Sequence, residues 1–243
     1  VERLGDGDAA VRAAAVTALR ELADVLPGDL AEPLRAHAGS PDAGVRALVV
    51  ELLRVIGAGR EADFVPALTD PDDAVRVAAV RGLVRLGAGA ALAAARTDPS
   101  REVRVQLARG LGSLASPEHA SVLLDLAGDA DPLVRAAALT AAAAIGCPAP
   151  LAAAAGQALR DPAWQVREGA AVALGGADES VAVGHLLAAV ADPNLDVRRA
   201  VVRSLSTWAD RADVAAALRA AADQDPDADV RAYARRALAA RDF

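Results

Sequence analysis

Apolar residues along this chain fall in a helical rhythm that keeps restarting. Counted from the valine of a recurring Val-Arg pair, apolar positions return at 0, +4, +5, +7, +8 and +11. In residues 70–87, DPDDAVRVAAVRGLVRLG, these are Val75, Ala79, Val80, Gly82, Leu83 and Leu86. Steps of three and four place them on one face of an α-helix and do not fit the period-two alternation of a strand. The valine of the pair stands at Val11, Val45, Val75, Val103, Val134, Val166, Val197 and Val230, in steps of 34, 30, 28, 31, 32, 31 and 33 residues. A shorter apolar segment precedes the long helix of a copy, as in residues 63–68 or 120–124. A two-helix unit repeated at this period buries its apolar face only by stacking on its neighbours, which predicts a solenoid.

The polar positions mark where each long helix starts and stops. Asp-Pro recurs at Asp70, Asp98, Asp161, Asp192 and Asp225. In the copy at 70, Asp70 is expected to cap the helix, Pro71 to take its first position, and Asp72 and Asp73 to favour its positive end. The +7 column is small in every copy but one (Ala18, Gly82, Gly110, Ala141, Ala173, Ser204 and Ala237, against Leu52), so a neighbouring helix can approach closely there. Gly57, Gly87 and Gly146 stand at +12, where a helix can end in the left-handed conformation. Column +11 (Ile56, Leu86, Leu114, Ile145, Trp208) is expected in the core. Column +5 is apolar until the last copy, where Arg235 suits a solvent-facing cap. In the first copy Val11, Ala15 and Leu19 are expected to be partly uncovered. Residues 1–4 look like the tail of a lost helix, and with no methionine at position 1 the chain is expected to be part of a longer polypeptide.

Composition narrows the possibilities. The chain is 54% apolar but only 2% aromatic, so the core must be built from small side chains on closely packed helices. The formal charge is −7, which disfavours nucleic acid or anionic lipid as a general partner. One cysteine, Cys147, excludes an internal disulfide and fits a reducing compartment, so a cytoplasmic location is expected. No run of about twenty apolar residues free of charge or proline suggests a membrane span.

The phrase DPxxxVRxxAAxxLxxLG, clearest at 70–87, and the prolines Pro33 and Pro66 in the first helices resemble HEAT-repeat proteins. The likeness is to the short bacterial type related to phycobilisome-lyase repeats. It implies an all-α fold, a right-handed α-α superhelix of the HEAT/armadillo-like kind, running as one solenoid of about eight helix pairs over 1–243. It also implies that turn aspartates and helix arginines bond within and between units, Asp70, Asp98, Asp161, Asp192 and Asp225 with Arg76, Arg104, Arg167, Arg198 and Arg231. Those arginines are then scaffold and not site.

Candidate chemistry is sparse. His37, His119 and His185 lie in different repeats, too far apart to share a metal, and no His-Glu dipeptide occurs, so no metal or cofactor is expected. Cys147, between Gly146 and Pro148, reads as a small hydrophobe. The glycine pairs at 87–89 and 110–112 lack the lysine and strand context of a phosphate loop. No catalytic set emerges, and the chain is expected not to be an enzyme.

The informative variation is at +6, on the polar side of the long helices: Thr17, Glu51, Arg81, Arg109, Thr140, Val172, Arg203 and Arg236. In HEAT solenoids the second helices line the concave surface, so this column should run along the groove. With the nearby Arg85, Arg199 and Tyr233, and with Trp164 in the turn DPAWQVR, it forms the candidate partner-binding set Arg81, Arg85, Arg109, Arg199, Arg203, Tyr233 and Trp164. Two readings stand. One is a basic stripe that holds an acidic or extended protein partner; the other is a solvated helix face laced with charge pairs. The resemblance also admits a bilin-lyase-like role with a partner subunit, or a nucleic-acid-directed one, neither with a motif that maps onto this chain.

Overall fold

The computed structural model describes residues 1–239, and among these every regular element is helical. By contact the chain divides into two compact units, 1–110 and 111–243. In the first, α1 (Ala9–Glu21), α3 (Ala43–Val55) and α5 (Asp73–Leu86) are the long second helices. The first helices are short: the 3-10 turn Glu2–Gly5 before α1, α2 (Ala31–Arg35) before α3, α4 (Glu61–Phe64) before α5, and α6 (Gly89–Leu92) before the next long helix, α4 and α6 running on into 3-10 turns. The division falls within α7 (Arg101–Leu114). The second unit pairs α8 (Ala120–Ala127) with α9 (Pro132–Ala144), α10 (Ala149–Ala158) with α11 (Trp164–Gly175), α12 (Glu179–Ala188) with α13 (Leu195–Leu205), and α14 (Ala212–Gln224) with α15 (Ala228–Ala239).

The helix starts differ from the sequence expectation by two residues. Asp72, not Asp70, caps α5, its carboxylate accepting from the Ala74 N–H at 2.9 Å, so Pro71 lies in the turn before the helix. Asp70 is already committed: it accepts from the Asp72 N–H at 2.9 Å, closing an Asx turn, and takes the guanidinium of Arg46 at 2.7 Å. The same division of labour recurs where Asp192 turns and Asn194 caps, and where Asp225 turns and Asp227 caps.

The repeated arginine reads both ends of the joint. Nη1 of Arg76 donates to the Asp70 carbonyl of its own turn at 2.8 Å, while Nε and Nη2 fork onto Asp98 of the following repeat at 2.7 and 3.0 Å. The carboxylate partner of Arg76 is therefore the next repeat's aspartate and not the one in its own turn. Arg46 with Asp70, Arg135 with Asp161, Arg167 with Asp192, and Arg198 with Asp225 repeat the geometry. Where Ser40 replaces the turn aspartate, Arg12 reaches the cap residue Asp42 through Nε alone, at 3.1 Å. Among the described residues, Arg231 keeps only the bonds to its own turn, at the Asp225 and Pro226 carbonyls.

Packing explains the small columns. Phe64 is fully buried and lies on Gly82, where an added Cβ would come within 2.5 Å of the ring. Gly110 takes Val84, and Gly175 lies against Ser204, whose hydroxyl donates to the Ala171 carbonyl at 2.8 Å. Gly57, Gly87 and Gly146 have φ of 69°, 69° and 78°, the left-handed ends expected at +12. Column +11 is a correction. Leu86 is exposed, Ile56, Leu114 and Trp208 are half-buried, and only Ile145 is buried, because +11 falls at or just past the end of each helix, where a neighbour covers it on fewer sides. As expected, α1 buries none of its residues, and Val11, Ala15 and Leu19 stay half-covered.

Candidate partner-binding grooves

Each unit carries a groove on the polar side of its second helices. The first, about 710 Å³, is walled by α1, α3, α5 and the start of α7, with Arg20, Arg54 and Arg81 facing Glu51, Asp73 and Glu102. Arg54 is held by Glu51 of its own helix, whereas Arg81 is exposed and reaches only Gln106, at 3.3 Å. The second, about 600 Å³, lies over α9, α11, α13 and α15. Its floor is small (Ala143, Gly175, Gly176, Ala200, Ser204), and Glu168, Asp196, Arg199, Arg203 and Tyr233 stand around it.

Among the sequence-predicted residues the structure brings Arg199, Arg203 and Tyr233 together in this second groove and places Arg81 in the first. Arg85 and Arg109 are exposed on their helices without lining either groove. Trp164 is 37% exposed, but it is the first residue of α11 and not part of the preceding turn, and it lines neither groove.

The charges are mixed rather than uniformly basic. Arg199 is not a free cation: Nη2 bonds Asp229 at 2.6 Å and lies 3.6 Å from Asp227, and Nη1 reaches Asp196 at 3.4 Å. Its Nε is out of solvent and has no acceptor. Arg203 and Arg236 both sit 5.9 Å from the centre of the Tyr233 ring, one from α13 and one from α15, and among the described residues neither has a carboxylate partner. Such cation–π contacts, here at the outer edge of their range, favour guanidinium groups near the ring without neutralising them. Glu168 stands outside the seven-residue candidate set, although as a variable position beside the +6 column it is expected near the groove. Among the described residues its carboxyl has no hydrogen-bonding partner, and burial followed by the nearby Asp196 charge pushes that carboxyl above its ordinary value. Its sequence signal is its place one turn before Val172 of the +6 column.

No group of histidine, cysteine or acidic side chains among the described residues could hold a metal, and His119 is buried while His185 is exposed. Cys147 is buried, and that burial drives its thiol up to about 11. No helix is long and apolar enough to cross a membrane.

Helix pairs stacked by one repeated joint, with grooves along the second helices, define an all-α repeat protein of the solenoid class. A family model for HEAT repeats matches residues 88–156 and 152–239, more than half of the sequence. The chain belongs to the HEAT-repeat family. No curated protein matches it in sequence. Among solved structures, an engineered protein aligns at 21% identity with a TM-score of 0.62, covering 100% of this chain and 77% of the other. YibA of E. coli aligns at 20% identity and TM-score 0.62, over 91% and 85% of the two chains. The complex of CpcE and CpcF of phycocyanin lyase from Nostoc sp. PCC7120 aligns at 22% identity and TM-score 0.55, over 90% and 89%. At these identities the likeness is one of fold.

Proposed function

We propose that the chain is a non-catalytic protein-interaction module whose grooves hold an acidic or extended segment of a partner protein. HEAT repeats suggest a protein-interaction scaffold in the broad sense. The finer reading rests on one observation: among the described residues Arg203 and Arg236 have no carboxylate partner and both lie at the Tyr233 ring, beside a groove lined by small residues. Fixed cations beside an aromatic ring lose little side-chain freedom on meeting a carboxylate, and they steer an acidic partner inward. The bilin-lyase alternative has only the fold likeness to CpcE and CpcF behind it.

The test is capture of partner proteins from source-cell lysate by the wild type, by the triple variant Arg81→Glu, Arg109→Glu, Arg203→Glu, and by Arg76→Ala. A protein retained by the wild type and Arg76→Ala but lost by the triple variant supports the reading. Identical captures by wild type and triple variant refute it. Cooperative melting of each variant guards against loss through unfolding.

A further inference from the structure

The four arginines of column +6 share a companion. Arg109, Arg203 and Arg236 each have an acidic residue seven positions earlier on the same helix, Glu102, Asp196 and Asp229; Arg81 has Asp73 eight positions earlier. The copies without arginine at +6 carry no acid at either position: Ala9 and Ala10 precede Thr17, Ala43 and Gly44 precede Glu51, Pro132 and Leu133 precede Thr140, and Trp164 and Gln165 precede Val172. Seven residues are two turns, about 10 Å, so acid and base share a helix face yet are too far apart to pair with each other.

The second helices of the second unit run parallel, since Gly169 near the start of α11 meets Ala136 near the start of α9, and Gly175 at the end of α11 meets Ser204 near the end of α13. Their acidic ends therefore form one rim and their arginines the other. In the second groove Glu168 and Asp196 stand on one rim, with Asp229 beside them and Arg199 bonded to both aspartates; Arg203 stands on the other, with Arg236 next to it at Tyr233, and Gly175, Gly176 and Ala200 line the groove as well. Among the described residues Glu168 makes no ion pair, and with Asp196, Asp227 and Asp229 it gives that rim more carboxylates than the single Arg199 offsets. The first groove is likewise lined by both signs of charge, Glu51, Asp73 and Glu102 with Arg20, Arg54 and Arg81.

We infer that the second groove receives a single α-helix of a partner protein, laid across α11, α13 and α15, with carboxylates along one flank and basic side chains along the other. A helix with its side chains is about 10–12 Å wide, the separation of the two rims. Neighbouring second helices stand about 8–10 Å apart, which matches charges placed seven residues apart on the incoming helix. The inference rests on the groove being a partner site and refines the acidic partner to one with two oppositely charged edges.

The experiment uses the 243-residue chain and four fluorescent alanine-rich helical peptides of equal length: glutamate on one flank and lysine on the other, glutamate only, lysine only, and glutamine on both. Fluorescence anisotropy at low salt should give the two-flank peptide at least tenfold tighter binding than any other. The variant Asp196→Lys, Asp229→Lys, checked for cooperative melting, should reverse that order in favour of the glutamate-only peptide. Equal binding of the two-flank and glutamate-only peptides overturns the inference and leaves the acidic-partner reading standing. Preference for the lysine-only peptide overturns both. If no peptide binds, the helical occupant is excluded, while the capture comparison with the Arg203 variant still decides the broader reading.

Discussion

At the scale of single residues, two sets of arginines sit on the same helices and do different things. Arg76 is 8% exposed and makes four hydrogen bonds, two of them to a carboxylate of the next repeat. Replacing it with alanine leaves Asp98 without its cation and should cost about 2–4 kcal/mol, read as a lowered urea midpoint. Arg81→Ala removes an exposed side chain with one long hydrogen bond and should change stability by less than about 0.5 kcal/mol. Comparable losses at both positions would erase the distinction between joint and groove. The carboxylates add a pH signature. The guanidinium of Arg46 outweighs burial to hold the Asp70 carboxyl below its ordinary 3.8, and Arg35 does the same for Asp63. The stabilisation they bring is complete above that value and is lost as pH falls through their lower folded values. Glu168 has the opposite sign, since its folded value is raised above 4.5: its contribution is full in acid and is lost as pH rises. Glu168→Gln should therefore raise the melting temperature at pH 7 and leave it unchanged at about pH 3, as thermal melts at the two pH values will show.

At the scale of elements, the period of the Val-Arg pair was enough to read the helix pairs, because each pair answers to the same packing demand. The turns were harder to read. Asp70 and Asp72 are chemically equal candidates for a cap, and the choice is made by Arg46, 24 residues earlier, which claims Asp70. The groove was partly legible for a related reason: alignment exposes the +6 arginines, but the capture of Arg199 by Asp229 depends on a contact between two helices that no single repeat displays. Element packing also gives a test with a definite sign. In an isolated helix Gly82→Ala would gain about 1 kcal/mol from helix propensity. Here the new Cβ would press on the fully buried ring of Phe64, so the variant should lose about 1–3 kcal/mol. Adding Phe64→Leu should recover part of that loss in urea unfolding, and a stabilised Gly82→Ala would mean that the ring is free to shift.

At the scale of the whole molecule, stability in a repeat array is a sum of unit terms and nearest-neighbour joints, so opening can begin wherever that sum is smallest. The second unit contains the chain's only thiol, at the end of α9, where Cys147 follows the left-handed Gly146 and is itself held at φ 38°. Its side chain is 2% exposed, and burial keeps it protonated up to about 11. Such a thiol reacts with a thiol-specific reagent only in molecules whose surrounding helices have parted. In native buffer at pH 8 the colour change with an aromatic disulfide should be slow, and it should accelerate steeply with urea below the global midpoint; prompt reaction would show that the helix end is loose. Cys147 thus serves as a built-in stopwatch for the second unit, timing how often that part of the array breathes with no label added to the protein.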